Sequence, residues 1–167
     1  MSTKKTMLNH GICIIHKNNN NIEGYVKFIN KEHKTKIEYE IKGLSDGEHG
    51  FHIHKYGDIS DGCKSACAHF NPTNSVHGSR TSKQRHIGDL GNIVSKNGIS
   101  KGYFYDKFIS LDYKHKNCII GRSIIIHADR DDLGKGGDEE SLKTGNAGKR
   151  LACGVIGLTL SLIHISE

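Results

Sequence analysis

The chain has 167 residues and a formal net charge of +6, and these two values already exclude several classes of protein. The length allows one continuous core, so we expect a single domain over residues 1–167. No apolar run approaches the roughly 20 residues that span a bilayer, and residues 1–8 lack the apolar stretch of a secretory signal. We therefore expect a soluble, cytoplasmic protein without a membrane partner.

The positive charge raises the question of nucleic acid as a partner. Lysines are spread through residues 27–42, 96–116 and elsewhere instead of forming one basic run. A scattered basic surface is usually only solvated. We therefore expect no nucleic-acid binding.

Short β-rich segments separated by turn signals dominate the chain, and no stretch sustains a helical apolar period. The predicted strands are 12–15, 22–28, 35–41, 49–54, 92–95, 99–105, 119–127 and 151–160, and the alternating tail to residue 163 reads as the end of the last strand. The Asn run 18–21 suits a hairpin loop, and Asn97 with Gly98 is a strong two-residue hairpin signal because both positions tolerate positive φ. The pattern predicts an all-β barrel or sandwich.

Two long irregular stretches, 56–88 and 128–149, interrupt this pattern. Loops of this length are uncommon in a compact domain unless they have a function. The first is rich in Asn, Ser, Thr and Gly, so little apolar surface is available to fix its backbone. A metal ion could fix it.

Six histidines and one aspartate have the spacing of two neighbouring metal sites: His52, His54, His69, His77, His86, Asp89 and His127. His52 and His54 are two apart on a predicted strand, so both rings point to one face. Joined by His127, they form an all-nitrogen set that suits copper.

The remaining donors form a second set. Three imidazoles and the carboxylate of Asp89 suit Zn(II), and one histidine would then have to serve both metals. His49, beside the strand pair, is expected to brace the backbone instead of binding metal.

Several longer motifs accompany these residues. They are 50–54 (GFHIH), 57–58 (GD), 69–72 (HFNP), 85–92 (RHIGDLGN), 121–127 (GRSIIIH), 131–137 (DDLGKGG), 144–148 (TGNAG) and 150–157 (RLACGVIG). With them the chain resembles the copper/zinc superoxide dismutase family from about residue 11 to residue 158. The resemblance implies an all-β, eight-stranded antiparallel Greek-key barrel or immunoglobulin-like sandwich with two long functional loops.

The resemblance also implies an activity. Two superoxide anions and two protons would become dioxygen and hydrogen peroxide as copper cycles between Cu(II) and Cu(I), with one copper and one zinc per chain. Family members are usually homodimers that meet around the 57–58 and 119–121 segments, where Ile59 and Ile120 fit that use. The rival interpretation is an inactive copper/zinc-binding or metal-buffering protein of the same family.

Residue roles follow from the same resemblance. The copper ligands would be His52, His54, His69 and His127, and the zinc ligands His69, His77, His86 and Asp89. The shared ring of His69 would also carry a proton to the product, and Arg150 would attract the anion beside copper. Asp131 would link His52 to His77, although an exchange of roles with Asp132 stays open. Lys143, Thr144, Glu139 and Glu140 would line the substrate channel and shape its field.

The resemblance implies a disulfide between Cys63 and Cys153 within the subunit. Two departures from the family pattern stand out. Cys67 with Ala68 replaces a usual Gly-Pro pair, which adds a thiol that could compete for Cys63. Leu151 replaces a proline that makes some members depend on a copper chaperone, so a chaperone is a possible but dispensable partner.

Overall fold

The computed structural model describes residues 9–16 and 20–159, and β-strands dominate these residues. The strands are β1 (His10–Ile15), β2 (Glu23–Lys31), β3 (Lys34–Lys42), β4 (Gly47–His54), β5 (Ser60–Cys63), β6 (Asp89–Ser95), β7 (Ile99–Asp106), β8 (Ser123–His127) and β9 (Arg150–Thr159). One short helix, α1 (Ser141–Thr144), lies in the second long loop. The all-β prediction is confirmed.

Eight of these strands form one antiparallel sheet in the order β6-β4-β8-β9-β1-β2-β3-β7. The two outer strands of this order, β6 and β7, are joined by the turn at Asn97 and Gly98, whose φ angles are 54° and 75°. The sheet is therefore a nearly closed barrel, and the predicted hairpin is confirmed. The chain crosses over between β3 and β4 and between β7 and β8, which gives the Greek-key order.

The predicted strands agree with the observed ones to within a few residues, with one larger error. The segment predicted at 119–127 begins only at Ser123, because Gly121 has a φ of 82° and Arg122 turns back to bond the Ile119 carbonyl. β1 pairs with β2 as expected of a hairpin. Residues 17–19 of the Asn run and the tail beyond Thr159 lie outside the described residues.

A single apolar cluster fills the barrel. Among its fully buried members are Phe28, Ile37, Phe51, Ile53 and Ile124, contributed by strands on both sides of the barrel. Inward and outward side chains alternate along each strand, as the period of two requires. This packing gives β4 and β8 rigid positions, and both strands carry histidines on the opposite face.

Both long loops pack on the outside of the barrel, close to β4 and β8. The first, between β4 and β6, contains β5, and the second, between β8 and β9, contains α1. Among the described residues, no helix is both long and apolar enough to cross a bilayer.

Candidate metal centre

Four donors of the first loop and β6 converge on one point. The Nδ1 atoms of His69, His77 and His86 lie 3.0, 2.9 and 3.1 Å from Oδ1 of Asp89, and His69 Nδ1 lies 3.2 Å from His86 Nδ1. All four residues are buried. The other carboxylate oxygen accepts the backbone N–H groups of Gly78 and His86, which fixes its orientation.

These separations match the edges of a tetrahedron around a metal ion. Donors bonded to zinc at about 2.0–2.1 Å in a tetrahedron lie about 3.3 Å apart. Ordinary hydrogen bonding does not explain the arrangement, because two imidazole nitrogens at 3.2 Å and three at one oxygen would need an unusual set of protonation states. The group fits zinc by donor type, number and spacing.

A second group lies directly beside the first. His52 Nδ1, His54 Nε2 and His127 Nε2 are buried and have no hydrogen-bond partner in the described part of the chain. The ring of His52 lies 4.2 Å from that of His69 and 4.9 Å from that of His127, between centroids. Buried polar atoms are almost always paired, so three such nitrogens facing one another point to a metal ion as their partner.

The opposite nitrogen of each of these rings is held by a protein oxygen. His52 Nε2 lies 2.7 Å from Asp131 Oδ2, His54 Nδ1 lies 2.8 Å from the Cys67 carbonyl, and His127 Nδ1 lies 3.1 Å from the Gly148 carbonyl. A proton on the outer nitrogen leaves the inner nitrogen as a lone-pair donor. All three rings are thereby set in the tautomer that a copper ion requires.

The electrostatics of the second group favour neutral rings. Burial lowers the pKa of His52 and His54 well below the ordinary 6.5, and the nearby rings of His69 and His127 add to this effect. Burial also lowers the pKa of His127 to about 4, with contributions from His69 and Arg150. Neutral imidazoles bind a metal without first releasing a proton.

His77 behaves differently. Burial alone would lower its pKa, but its hydrogen bonds to Asp131 and Asp89 outweigh burial and raise the pKa to about 9. Contacts with His69, His77 and His86 hold the pKa of Asp89 far below its usual range in spite of burial.

His69 belongs to both groups. Its Nδ1 is directed at the zinc donors, and the ring also lies within the set formed by His52, His54 and His127. His69 therefore lies where the sequence-based prediction requires one ring to serve both groups.

Asp131 connects the two groups through the outer nitrogens of their rings. Its Oδ2 accepts from His52 Nε2 and its Oδ1 from His77 Nε2, both at 2.7 Å. These three residues are also close enough to suggest a third metal group. The two rings use their outer nitrogens here, however, so the contact is a hydrogen-bonded link between the two sites. Asp132 contacts Ser141 and Asn146 instead of either ring.

Sequence reasoning missed two residues that support this link. Asn92 exchanges hydrogen bonds with the backbone of Asp131, donating to its carbonyl at 2.9 Å and accepting its N–H at 2.7 Å. Gly145 has a φ of 70°, and a Cβ there would overlap Asp131 Oδ1 and His77 Nε2. Both lie in motifs singled out above, but only the tertiary contact reveals what they do. His49 braces the backbone as expected, through a 2.8 Å contact between its Nδ1 and the His127 carbonyl.

A cavity of ≈ 810 Å³ leads to the second group, and Arg150 lies in its wall. Arg150 Nη1 donates to the Cys63 carbonyl at 2.9 Å, and Nη2 donates to the Cys67 carbonyl at 2.6 Å. Partial burial lowers the pKa of Arg150, but a guanidinium stays charged at neutral pH. The cavity therefore combines metal-ligand nitrogens with one fixed positive charge.

The predicted channel residues lie at or near this cavity. Glu140, Lys143 and Thr144 line it. Glu139 does not line it, but its carboxylate pairs with Lys143 at 2.9 Å. Thr144 Oγ1 donates to Glu140 at 2.8 Å. The acidic pair thus holds the lysine and the threonine of α1 in place.

Cys63 and Cys153 form a disulfide, with Cα atoms 5.8 Å apart and a sequence separation of 90. It joins the loop whose carbonyls hold Arg150 to β9, three residues beyond Arg150. Cys67 is a free, exposed thiol, while Cys13 and Cys118 are free and buried. Burial raises the pKa of Cys13 to about 12, so this thiol is inert.

Together these features define a class: an antiparallel Greek-key barrel with two adjoining buried metal sites that share one histidine. A profile of the family described as copper/zinc superoxide dismutase matches residues 22–156. The chain belongs to this family.

Individual relatives agree with this assignment. The chain is similar to a superoxide dismutase [Cu-Zn] of Paramecium bursaria Chlorella virus 1, with 56% identity over 81% of the chain and 73% of the relative. It is 51% identical to an extracellular superoxide dismutase [Cu-Zn] of Brugia pahangi, over 89% of the chain and 75% of that protein. It is 52% identical to a superoxide dismutase [Cu-Zn] of Saccharomyces cerevisiae, over 83% and 91%.

Proposed function

We propose that this protein is a superoxide dismutase that uses one copper and one zinc ion, with the residue roles given below. It converts two superoxide anions and two protons into dioxygen and hydrogen peroxide. The observation that carries the assignment is the set of three unpaired imidazole nitrogens beside the four-donor group of Asp89. A metal-buffering or structural zinc protein would need neither these nitrogens nor Arg150, and an inactive copper/zinc-binding protein would not need Arg150.

His52, His54, His69 and His127 would hold copper, and His69, His77, His86 and Asp89 would hold zinc. When bound, copper supplies one-electron exchange between Cu(II) and Cu(I), and zinc supplies fixed positive charge. Asp131 keeps a proton on the outer nitrogens of His52 and His77, which fixes the orientation of both rings. His69 Nε2 is the nitrogen from which a proton can pass to the product.

Arg150 would attract and orient the anion. Its guanidinium is fixed by the Cys63, Lys64 and Cys67 carbonyls, and Nε and the second N–H of Nη2 have no acceptor in the described part of the chain, so they can bond superoxide. Lys143 and Thr144 would line the entrance, with Glu139 and Glu140 shaping its field. A fixed cation in a narrow cavity raises the local concentration of a small anion, an effect for which superoxide dismutase is itself a known example.

Metal analysis combined with a superoxide-decay assay tests this function. We expect one copper and one zinc per chain together with dismutase activity. A chain that takes up zinc alone and leaves superoxide decay unchanged would support the metal-buffering alternative.

The Arg150→Gln variant tests the role of the guanidinium. We expect kcat/KM to fall about tenfold, because the anion loses its attracting charge, and its dependence on salt to weaken. Copper and zinc content should stay unchanged. Lys149→Gln, an exposed neighbour, removes the same charge and serves as the control. Equal losses in both variants would mean that only net charge matters.

The protein is also proposed to be a homodimer. Three adjacent segments support this: Gly57 packs against the Gly121 carbonyl, and Gly121 N–H donates to the Ile156 carbonyl at 2.7 Å. Around them, Tyr56, Val155 and Leu158 are 48, 38 and 58% exposed, which is unusual for apolar side chains grouped in one place.

Sedimentation velocity would test this surface. Val155→Glu should shift the protein from dimer to monomer, because it places a charge in the apolar contact. Val94→Glu, at an exposed site on β6 away from these segments, should leave the dimer intact. A monomeric unmodified protein would refute the proposal.

Three further proposals rest on the sequence alone. They are a single domain over residues 1–167, a cytoplasmic location, and copper loading that does not require a chaperone. The Brugia relative is named extracellular, so cell fractionation is the direct test of location. Active protein from cells without the copper chaperone would support the third proposal, and inactive protein would contradict it.

A further inference from the structure

A second cavity, of ≈ 460 Å³, opens away from the metal groups. It lies between the β2–β3 turn, residues 30–35, and the crossover loop 107–117 that leads from β7 towards β8. None of its lining residues is a metal-ligand candidate or lines the cavity of Arg150. Its volume is in the range of small-molecule sites.

The rim of this cavity is strongly basic. Lys34, Lys107 and Lys116 line it, all are exposed, and none forms an ion pair within the described part of the chain. Glu32 is the one carboxylate among the described lining residues. His115 accepts the Asn117 N–H at its Nδ1, at 3.0 Å, so its other nitrogen is available as an N–H donor. Lys34 Nζ also lies over the Tyr105 ring, 4.2 Å from its centroid. Cations without a carboxylate partner around a concave surface are suited to an anion with several charges.

Lys34 belongs to one segment, and Lys107 and Lys116 belong to another that lies about 75 residues later in the chain. The sequence therefore presents them as scattered. Antiparallel pairing of β3 with β7, in which Thr35 faces Asp106, brings the two segments together. The fold thus creates a concentration of charge that the sequence does not display.

The floor of the cavity is suited to an organic group. Asn117 is 7% exposed, and its Nδ2 donates to the Phe108 carbonyl at 2.9 Å. Its Oδ1 has no partner in the described part of the chain. Phe108 is 42% exposed at the same cavity, above the buried Leu111. Asn117 Oδ1 is enclosed by protein, so the accessible organic surface beside the cations is the ring of Phe108.

We propose that this cavity binds a phosphorylated small molecule of nucleotide chemistry. Lys34, Lys107 and Lys116 contact the phosphates, and a planar ring of the ligand packs against Phe108. The site is independent of the metal centre and of the dismutase activity.

Isothermal titration calorimetry on the copper- and zinc-loaded full chain tests the proposal, with ATP and inorganic tripolyphosphate as probes. We expect ATP to bind with one site per chain and more tightly than tripolyphosphate, because only ATP has a ring that can pack against Phe108. Lys34→Gln, Lys107→Gln and Lys116→Gln combined should weaken ATP binding at least tenfold, since three charge-assisted contacts are lost. Dismutase activity should be unchanged, which also shows that this variant folds.

A matched control separates a built site from general charge. Lys83, Lys96 and Lys101 are exposed and do not line the cavity, so their combined replacement by Gln removes the same net charge. We expect this control to weaken ATP binding less than threefold. Equal weakening in both triple variants, equal affinity for ATP and tripolyphosphate, or no binding of ATP would each overturn the proposal.

Discussion

The two carboxylate oxygens of Asp131 each contact a ring from a different metal group. Because both contacts are 2.7 Å long and fully buried, the position of one ring depends on the position of the other. Asn92 and Gly145 confine this carboxylate further, through hydrogen bonds to its backbone and through lack of a side chain. Asp131 is therefore a second connection between the two candidate metal groups, besides the shared ring of His69.

Replacing Asp131 by Asn should weaken zinc binding by about 10- to 100-fold, the usual effect of losing an outer partner of a metal-bound histidine. An amide can accept from only one of the two rings, because its NH2 group faces the other ring N–H. Zinc affinity is measured by competition with a chromophoric chelator. Asp132→Asn is the matched control, since that carboxylate contacts neither ring. Equal losses in the two variants would contradict the assigned role.

The backbone carbonyl of Cys67 accepts hydrogen bonds from two side chains of the site. It accepts from His54 Nδ1 at 2.8 Å and from Arg150 Nη2 at 2.6 Å. The residue has φ 68° and ψ −148°, a region that is essentially restricted to glycine. The two hydrogen bonds fix the carbonyl direction and so maintain a backbone conformation that disfavours a side chain.

Cys67→Gly should therefore raise the free energy of unfolding by about 1 kcal/mol, because it removes the Cβ from this region. Metal content and activity should be unchanged, since the carbonyl is kept. Chemical denaturation of the metal-free, disulfide-intact protein measures the difference. Cys67→Ser removes the thiol but keeps the Cβ, so it should give no such gain. An equal gain in both variants would assign the effect to the thiol.

The donors of both metal groups follow from residue type and spacing, whereas their supports do not. Two histidines that are two residues apart on a predicted strand have their rings on the same face, as His52 and His54 do. The carbonyls of Cys67 and Gly148 are backbone atoms, which carry no sequence signal at all. The role of Asn92 depends on a contact with residue 131, and no local pattern predicts a contact across 39 residues.

At the level of elements, the alternation of apolar residues predicts the strands well, and the turn at Asn97 and Gly98 follows directly from its chemistry. The error at 119–122 has a clear cause. Ile119 is buried like a strand residue, but it packs from the crossover loop, where its N–H bonds the Ser110 carbonyl. A run of apolar residues cannot distinguish a strand from a buried loop. β5 was not predicted, because four residues give no detectable period.

The disulfide is an element-level restraint, since it ties the end of β5 to β9. For a closed loop of about 90 residues, the chain-entropy model gives about 4–5 kcal/mol of stabilisation. Cys153→Ser should lower the free energy of unfolding by this amount and also lower activity, because Arg150 bonds the carbonyl of Cys63. Calorimetry and the dismutase assay measure the two effects. Cys67→Ser, which alters an unpaired thiol, should show neither.

On the scale of the whole molecule, the barrel and the two long loops have different sources of stability. The barrel has a continuous apolar core. The loop between β4 and β6 buries few apolar side chains, among them Phe70 and Ile87. It is otherwise fixed by the disulfide of Cys63, by the buried ion pair between Arg85 and Asp106, and by the metal-ligand candidates. The second loop is joined to the first through the contact between Asp131 and His77. The metals should therefore order both loops without being needed for the barrel.

Removal of both metals by a chelator should increase amide hydrogen exchange in residues 70–88 and 131–148 by at least about tenfold, because local opening no longer requires loss of a bound ion. Strands β1, β2, β3 and β7, which carry no ligand candidate, should keep their protection. Exchange is followed by mass spectrometry on peptides from both regions, and adding zinc back should restore protection in the loop 70–88. A uniform increase across barrel and loops would show instead that the metals hold the entire fold.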